Sequence, residues 1–145
     1  MIKIICVGKI KESYLKELID DYLERISKYH KIEIIEVKDN NDIKKETSEI
    51  NKVYNNKEYN IALCIDGNTY NSVNFAKHID SIFNYNSNIT FIIGGSNGLE
   101  DEIINKCNET ISFSDFTFPH GLFRGILLEQ IYRCFKINNN ETYHK

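Results

Sequence analysis

Five short runs rich in β-branched and aromatic residues, each followed by a stretch with helical spacing, constrain this chain more than any other feature. IKIICV (2–7), KIEIIEV (31–37), NIALCID (60–66), ITFIIG (89–94) and TISFS (110–114) each have strand length. Three of them are almost uninterrupted apolar runs, as expected of strands buried on both faces, while KIEIIEV alternates. The glycines at 8 and 67 are read as the stops of the first and third strands. Between strands, Tyr14, Leu15, Leu18, Ile19, Tyr22, Leu23, Ile26 and Tyr29 recur at helical intervals over 13–29. A helix from about Ser72 carries Val73, Ala76, Ile79 and Phe83 on one face. The polar stretch 37–56, with Ile43, Ile50 and Val53 loosely spaced, reads as a surface helix. LEDEIINKC (99–107) reads as a short helix with acids in its first turn, where the helix dipole favours them. GLFRGILLEQIYRCFKI (121–137) is the last helix. Strand–helix alternation of this kind predicts an α/β layer with a largely parallel sheet. No repeat or linker interrupts it, and 145 residues are expected to form a single domain, 1–145.

Hydrophobic residues make up 41% of the chain and charged residues 27%, enough for one core and unlike a disordered chain. The net charge of −3 excludes a small domain coated in positive charge. The charge is segregated. Residues 61–118 carry two lysines against seven acids, a net −5, while 119–145 carry four basic residues against two acids, a net +2. Two of the three arginines, Arg124 and Arg133, lie in that last segment, and arginine offers anions a planar fork that lysine lacks. The four cysteines are scattered without a C-x-x-C pair, so no zinc site is expected, and all four read as buried, reduced thiols. No stretch approaches a membrane span or a signal-peptide core, and a cytoplasmic protein is expected.

Two loops concentrate polar chemistry. Gly94-Gly95-Ser96-Asn97-Gly98 joins the fourth strand to a helix, where α/β proteins place ligand loops. Its G-G-x-x-G spacing departs from the dinucleotide fingerprint, no Walker lysine follows, and no G-x-S-x-G elbow exists anywhere. A tight turn into a helix is the other reading of these glycines. The second loop leads through Ser112 to Arg124 and holds Pro119, the only proline. Proline fixes its own φ and pushes Phe118 into extended backbone, leaving amides free for the edge of a heterocycle. Taken singly, these residues also fit a plain strand-to-helix turn, with Asp115 exposed and His120 near the helix start. Further on, Glu129 and Arg133 form an i, i+4 pair of the kind common on helix surfaces. Leu122, Ile126, Leu127, Ile131, Cys134 and Phe135 suit either a core or a dimer seam. The Asn-rich run at 138–140 reads as compositional bias, and the tail 141–145 is expected to fray.

CVGKIKESY, ALCIDG, FIIGGSNGL, ISFSDFTFPH, LFRGILLEQIYRCFKI and a terminal YHK follow one another in this order. In I-G-G-x-x-G-L, T-x-P-H-x-L-x-R and the Tyr-His-basic end above all, the chain resembles the ribosomal RNA large subunit methyltransferase H family of the SPOUT superfamily, over essentially its whole length. The resemblance implies a SPOUT-type, Rossmann-like α/β fold with a C-terminal deep trefoil knot. It implies a homodimer that binds S-adenosylmethionine in the knot and methylates N3 of a pseudouridine in a large-subunit rRNA stem-loop, preferring the assembled ribosome. Carried over by motif, cofactor contacts fall at Leu63, Gly94, Phe113, Ser114, Asp115, Phe116, Thr117 and Phe118. One departure is visible: Gly121 stands where the family commonly has a larger residue, often Gln, which puts the local start of the helix in question.

On that reading Arg124 orients the base or a phosphate. Tyr143 and His144 reach the site across the dimer to stack on the flipped base and accept or relay a proton. Glu129 and Arg133 support this group or are purely structural. Two other readings stay open: a nucleotide-binding oxidoreductase using the Gly94–Gly98 loop, and a ribosome-binding module without activity. An acidic chain is expected to bind free RNA poorly, since non-specific affinity comes mainly from neutralising phosphates. The net +2 segment 119–145, doubled in a dimer, is expected to form a local patch suited to an assembled ribosome.

Overall fold

The computed structural model describes residues 1–145. Its strands are β1 (Ile2–Val7), β2 (Ile32–Val37), β3 (Tyr59–Thr69), β4 (Ile89–Ile93) and β5 (Glu109–Ser112). The helices are α1 (Ser13–Ser27), α2 (Ile43–Val53), α3 (Ser72–Phe83), α4 (Asp101–Lys106) and α5 (His120–Asn138). All strand pairs are parallel, in the order β2-β1-β4-β3-β5. The three most apolar runs therefore occupy the sheet's interior, and the alternating run, β2, lies at an edge. This order is compatible with the C-terminal trefoil knot that the resemblance implies.

Side chains alternate across the pleat, so that β1, β2 and β4 feed two cores. Ile2, Ile4, Cys6, Phe91 and Ile93 point to the face covered by α1, α3 and α5. Ile5, Val7 and Ile92 point to the other face and meet Ile50 of α2 and Ile103 of α4. Helix α5 packs against both α1 and α3 and buries Leu127, Leu128, Ile131 and Cys134. The face read as core or seam is thus divided, because Leu122 remains 39% exposed. No helix is long and apolar enough to cross a membrane.

Four details differ from the expectations. Strand β3 does not stop at Gly67 but runs on to Thr69. Of the four thiols, Cys6 and Cys134 are buried, whereas Cys64 and Cys107 are only half-buried. The asparagine run is structural: Asn138 Nδ2 donates to Ala76 O at 3.0 Å, Asn139 Nδ2 donates to Phe135 O at 2.7 Å, and Asn140 turns the chain at φ 55°. The tail then docks rather than frays, with Glu141 accepting from Tyr29 Oη at 2.9 Å and pairing with Lys136 Nζ at 3.0 Å.

Gly121 does not disturb the helix, which starts one residue earlier at His120. A Cβ there would lie 3.1 Å from Ile10 Cδ1 and 3.3 Å from Leu15 Cδ1, so the ends of these two side chains close over this position. One turn later, a Cβ on Gly125 would lie 2.8 Å from Leu18 Cδ2. Thermal denaturation is expected to separate the two. Gly121→Ala should stay within about 0.5 kcal/mol of the parent, because the helix-propensity gain offsets mild crowding. Gly125→Ala should lose about 1 kcal/mol, because the half-buried Leu18 tip must swing aside to make room and the helix-propensity gain offsets part of that cost.

Candidate active site

Past the carboxyl ends of β3, β4 and β5, three chain segments converge on a cleft of about 280 Å³. This is the side of a parallel sheet on which ligand crevices form. The first segment is a bulge in β3. Leu63 pairs with Ile111 of β5, the chain then leaves the ladder, and Asn68 pairs with Ile111 again. Returning to the ladder brings Gly67 so close to β5 that a Cβ would lie 2.5 Å from the carbonyl carbon of Ile111. Glycine thus permits the bulge instead of ending the strand, and the bulge presents Cys64 and Ile65 to the cleft.

The second segment is the glycine loop, which contributes Gly94, Gly95, Gly98 and then Leu99. It folds back on itself through a Gly95–Gly98 bridge. A Cβ on Gly94 would lie 2.6 Å from both C and O of Gly98. The third segment is 112–118, followed by His120 and Phe123 of α5. The ring of Phe123 stacks on Phe118 at 6.0 Å and meets Phe113 edge-on at 5.1 Å. Ser114 Oγ accepts the Phe116 amide at 3.0 Å, while the amides of Ser114, Asp115, Thr117 and Phe118 donate to no group of the chain.

Of the residues carried over by motif, Leu63, Gly94, Phe113, Ser114, Phe116, Thr117 and Phe118 line the cleft. Asp115 is exposed and does not line it. The cofactor contacts carried over by motif did not include Cys64, Ile65, Gly95, Gly98, Leu99, His120 or Phe123, although both glycines, His120 and Phe123 lie in the two loops singled out for their polar chemistry. No lysine or arginine lines the cleft. Beside it, α4 begins with Glu100, Asp101 and Glu102, so its N-terminus is already occupied by negative charge.

Arg124 follows Phe123 but is directed elsewhere. Its side chain is 3% exposed, Nη1 donates to Glu36 Oε2 at 2.6 Å, and Nη2 donates to Gly8 O at 3.2 Å. The guanidinium thus ties the first turn of α5 to the ends of β1 and β2. Its Nε is buried with no partner.

Tyr143 and His144 lie beyond the cleft of their own chain. They dock beside Arg133, ten residues past Phe123 and so roughly 15 Å further along α5. Tyr143 Oη donates to Glu129 Oε1 at 3.1 Å, and its ring meets Tyr132 edge-on at 4.9 Å. Burial, with help from the Tyr22 hydroxyl and the Glu129 carboxylate, pushes the Tyr143 phenol above its ordinary pKa, so it is a donor at neutral pH. His144 Nδ1 lies 3.0 Å from Arg133 Nη1, and Arg133 in turn pairs with Glu129. The Glu129–Arg133 pair is therefore the support on which the tail rests.

Comparison with known proteins agrees with this architecture. A family described as "Predicted SPOUT methyltransferase" matches residues 1–144. "Ribosomal RNA large subunit methyltransferase H 1" of Clostridium perfringens (strain SM101 / Type A) is 46% identical, covering 99% of each chain. "Ribosomal RNA large subunit methyltransferase H" of Clostridioides difficile (strain 630) is 47% identical, and that of Fusobacterium nucleatum subsp. nucleatum 44%, each again over 99% of both chains. Among solved structures, a probable methylase family protein from Haemophilus influenzae Rd KW20 superposes with a TM-score of 0.59 over 99% of this chain and 70% of that one. At 13% identity that likeness concerns the fold alone. Matched along its full length by a methyltransferase family and by relatives that share close to half its residues, the chain belongs to the ribosomal RNA large subunit methyltransferase H family of SPOUT methyltransferases.

Proposed function

We propose that this protein transfers a methyl group from S-adenosylmethionine to N3 of a pseudouridine in large-subunit ribosomal RNA, acting as a cytoplasmic homodimer on the assembled ribosome. The observation that carries the cofactor assignment is the chemistry of the cleft. It combines aromatic walls, unpaired backbone amides and no cationic side chain, beside a helix whose first turn is acidic. Such a site suits an uncharged heterocycle attached to a positively charged group. It opposes the pyrophosphate of a nicotinamide dinucleotide, which needs a helix N-terminus free of negative charge.

When bound, S-adenosylmethionine supplies a methyl group activated by its sulfonium. The chain's own residues then have three tasks. Leu63, Phe113 and Phe118 enclose the apolar part of the cofactor, and the free amides of Ser114, Asp115, Thr117 and Phe118 bind its polar edges, with the side chains of Asp115, Phe116 and Thr117 at the outer rim. Gly94 lets the glycine loop close the other side. Arg124 holds the start of α5 and acts as a positioning residue, without touching the ligand. Tyr143 and His144 of the partner subunit complete the site: the phenol offers a donor and a stacking surface, and the imidazole, once its Nδ1 is released from the Arg133 N–H, accepts the N3 proton. Support for the dimer is the separation, within one chain, of the docked tail from the cleft.

The test uses ribosomes lacking the modification, labelled cofactor and mapping of the methylated nucleotide by mass spectrometry. Methylation of one pseudouridine on ribosomes is expected, with free rRNA a much poorer substrate. His144→Ala should lower turnover by about 10²–10⁴-fold while cofactor binding stays intact. Cofactor affinity for NAD(H) instead, or ribosome binding with no cofactor affinity at all, would replace this reading with one of its two rivals.

A further inference from the structure

Glu46 lies on α2, the helix whose sequence reads as plain polar surface, yet only 2% of it is exposed. No lysine, arginine or histidine pairs with it. A buried carboxylate without a counter-charge is costly unless its oxygens are hydrogen-bonded, and the bonds that Glu46 makes are specific. Its Oε2 accepts the Asn40 amide at 2.9 Å, and its Oε1 faces Asn97 Nδ2 at 3.5 Å. Asn97 Nδ2 also donates to Asn40 O at 3.1 Å, closing a ring of three residues. Gly95 lies against the same carboxylate, with the position of a Cβ there 3.5 Å from Oε2. The next residue of α2 holds the far end of the loop, because Thr47 Oγ1 donates to Glu100 Oε1 at 2.8 Å.

Asn97 and Gly95 belong to the glycine loop that forms one wall of the cofactor cleft, while α2 itself lines no part of that cleft. Resting on the methyltransferase reading above, we propose that Glu46 is a positioning residue: it clamps the glycine loop from behind and so sets the shape of the cofactor site without touching the ligand. A carboxylate is the group required, since both of its neighbours present N–H donors. Glutamine would turn an amide group toward one of them.

The experiment is calorimetric titration of S-adenosylmethionine into Glu46→Gln, Asn97→Ala and the parent, well below each melting temperature. Folding of each is checked by circular dichroism. Affinity of the folded Glu46→Gln protein is expected to fall by about tenfold, less than the roughly hundredfold scale of a full ångström's misplacement, since the loop is loosened and not displaced. In turnover assays the KM for cofactor should rise by more than kcat falls, and Glu46→Asp should recover part of the loss. A merely structural glutamate would lower the melting temperature and leave the affinity of the folded protein unchanged, which would overturn the proposal. If Glu46→Gln does not fold, Asn97→Ala decides, since Asn97 is exposed and its loss cuts the loop from the same clamp. A parent affinity in Asn97→Ala then overturns it. Failure of the parent protein itself to bind S-adenosylmethionine would instead sink the cofactor assignment, so the two failures are distinguishable.

Discussion

Arg124→Ala is expected to lower the stability of the protein by about 3 kcal/mol, the low end of the range for breaking a buried ion pair. The low end applies because the abandoned Glu36 side chain is 35% exposed and can be hydrated. Gly8 O loses a donor at the same time. For a chain of this size that loss shifts the melting temperature by on the order of 10 °C. Cofactor affinity should fall even in protein kept cold and folded, since the first turn of α5 carries His120 and Phe123 into the cleft. Arg124→Lys keeps the charge but not the fork that spans Glu36 and Gly8 O, and should retain about half of the stability. The double substitution Glu36→Gln with Arg124→Met should recover most of it, because it leaves no uncompensated charge. An arginine that touched RNA instead would give Arg124→Ala normal melting and cofactor affinity with turnover lost, and that pattern would refute the positioning role.

Gly94→Ala is expected to cost about 100-fold in cofactor affinity, measured by calorimetry on folded protein. The added methyl would need the space in which Gly98 C and O lie 2.6 Å away, and backbone cannot rotate aside as a side-chain tip can. The loop must therefore open, which moves Gly95, Gly98 and Leu99 away from the cleft. The stability cost should be smaller in consequence, about 1–3 kcal/mol, because β4 beneath the loop keeps its pairing on both sides. Unchanged affinity in Gly94→Ala would show that the glycine loop is a turn and not a cofactor wall.

The charge of the chain acquires a narrower meaning from the structure. The segment 119–145 has a net +2, but three of its four cations are paired: Arg124 with Glu36, Arg133 with Glu129, and Lys136 with Glu141, which leaves Lys145 alone without an ion pair. Little positive charge remains for phosphate neutralisation, so loose RNA should be bound even more weakly than composition suggests. On the function proposed above, recognition of the RNA then rests on shape more than on charge.

Sequence alone determined the order and type of every element, the largely parallel sheet and the family, and it named seven of the residues that line the cleft. These depend on local periodicity and on motifs of a few contiguous residues, which read directly from the chain. The tertiary structure decided what depends on distant partners. Arg124 reads as a free cation until folding sets it against Glu36, 88 residues away. Gly67 reads as a strand stop until β5 is seen close beside it. Glu46 reads as solvated surface until the glycine loop, 51 residues further on, is seen resting over it. A charge in sequence has a sign but no neighbour, and its role is set by the groups that folding brings to it.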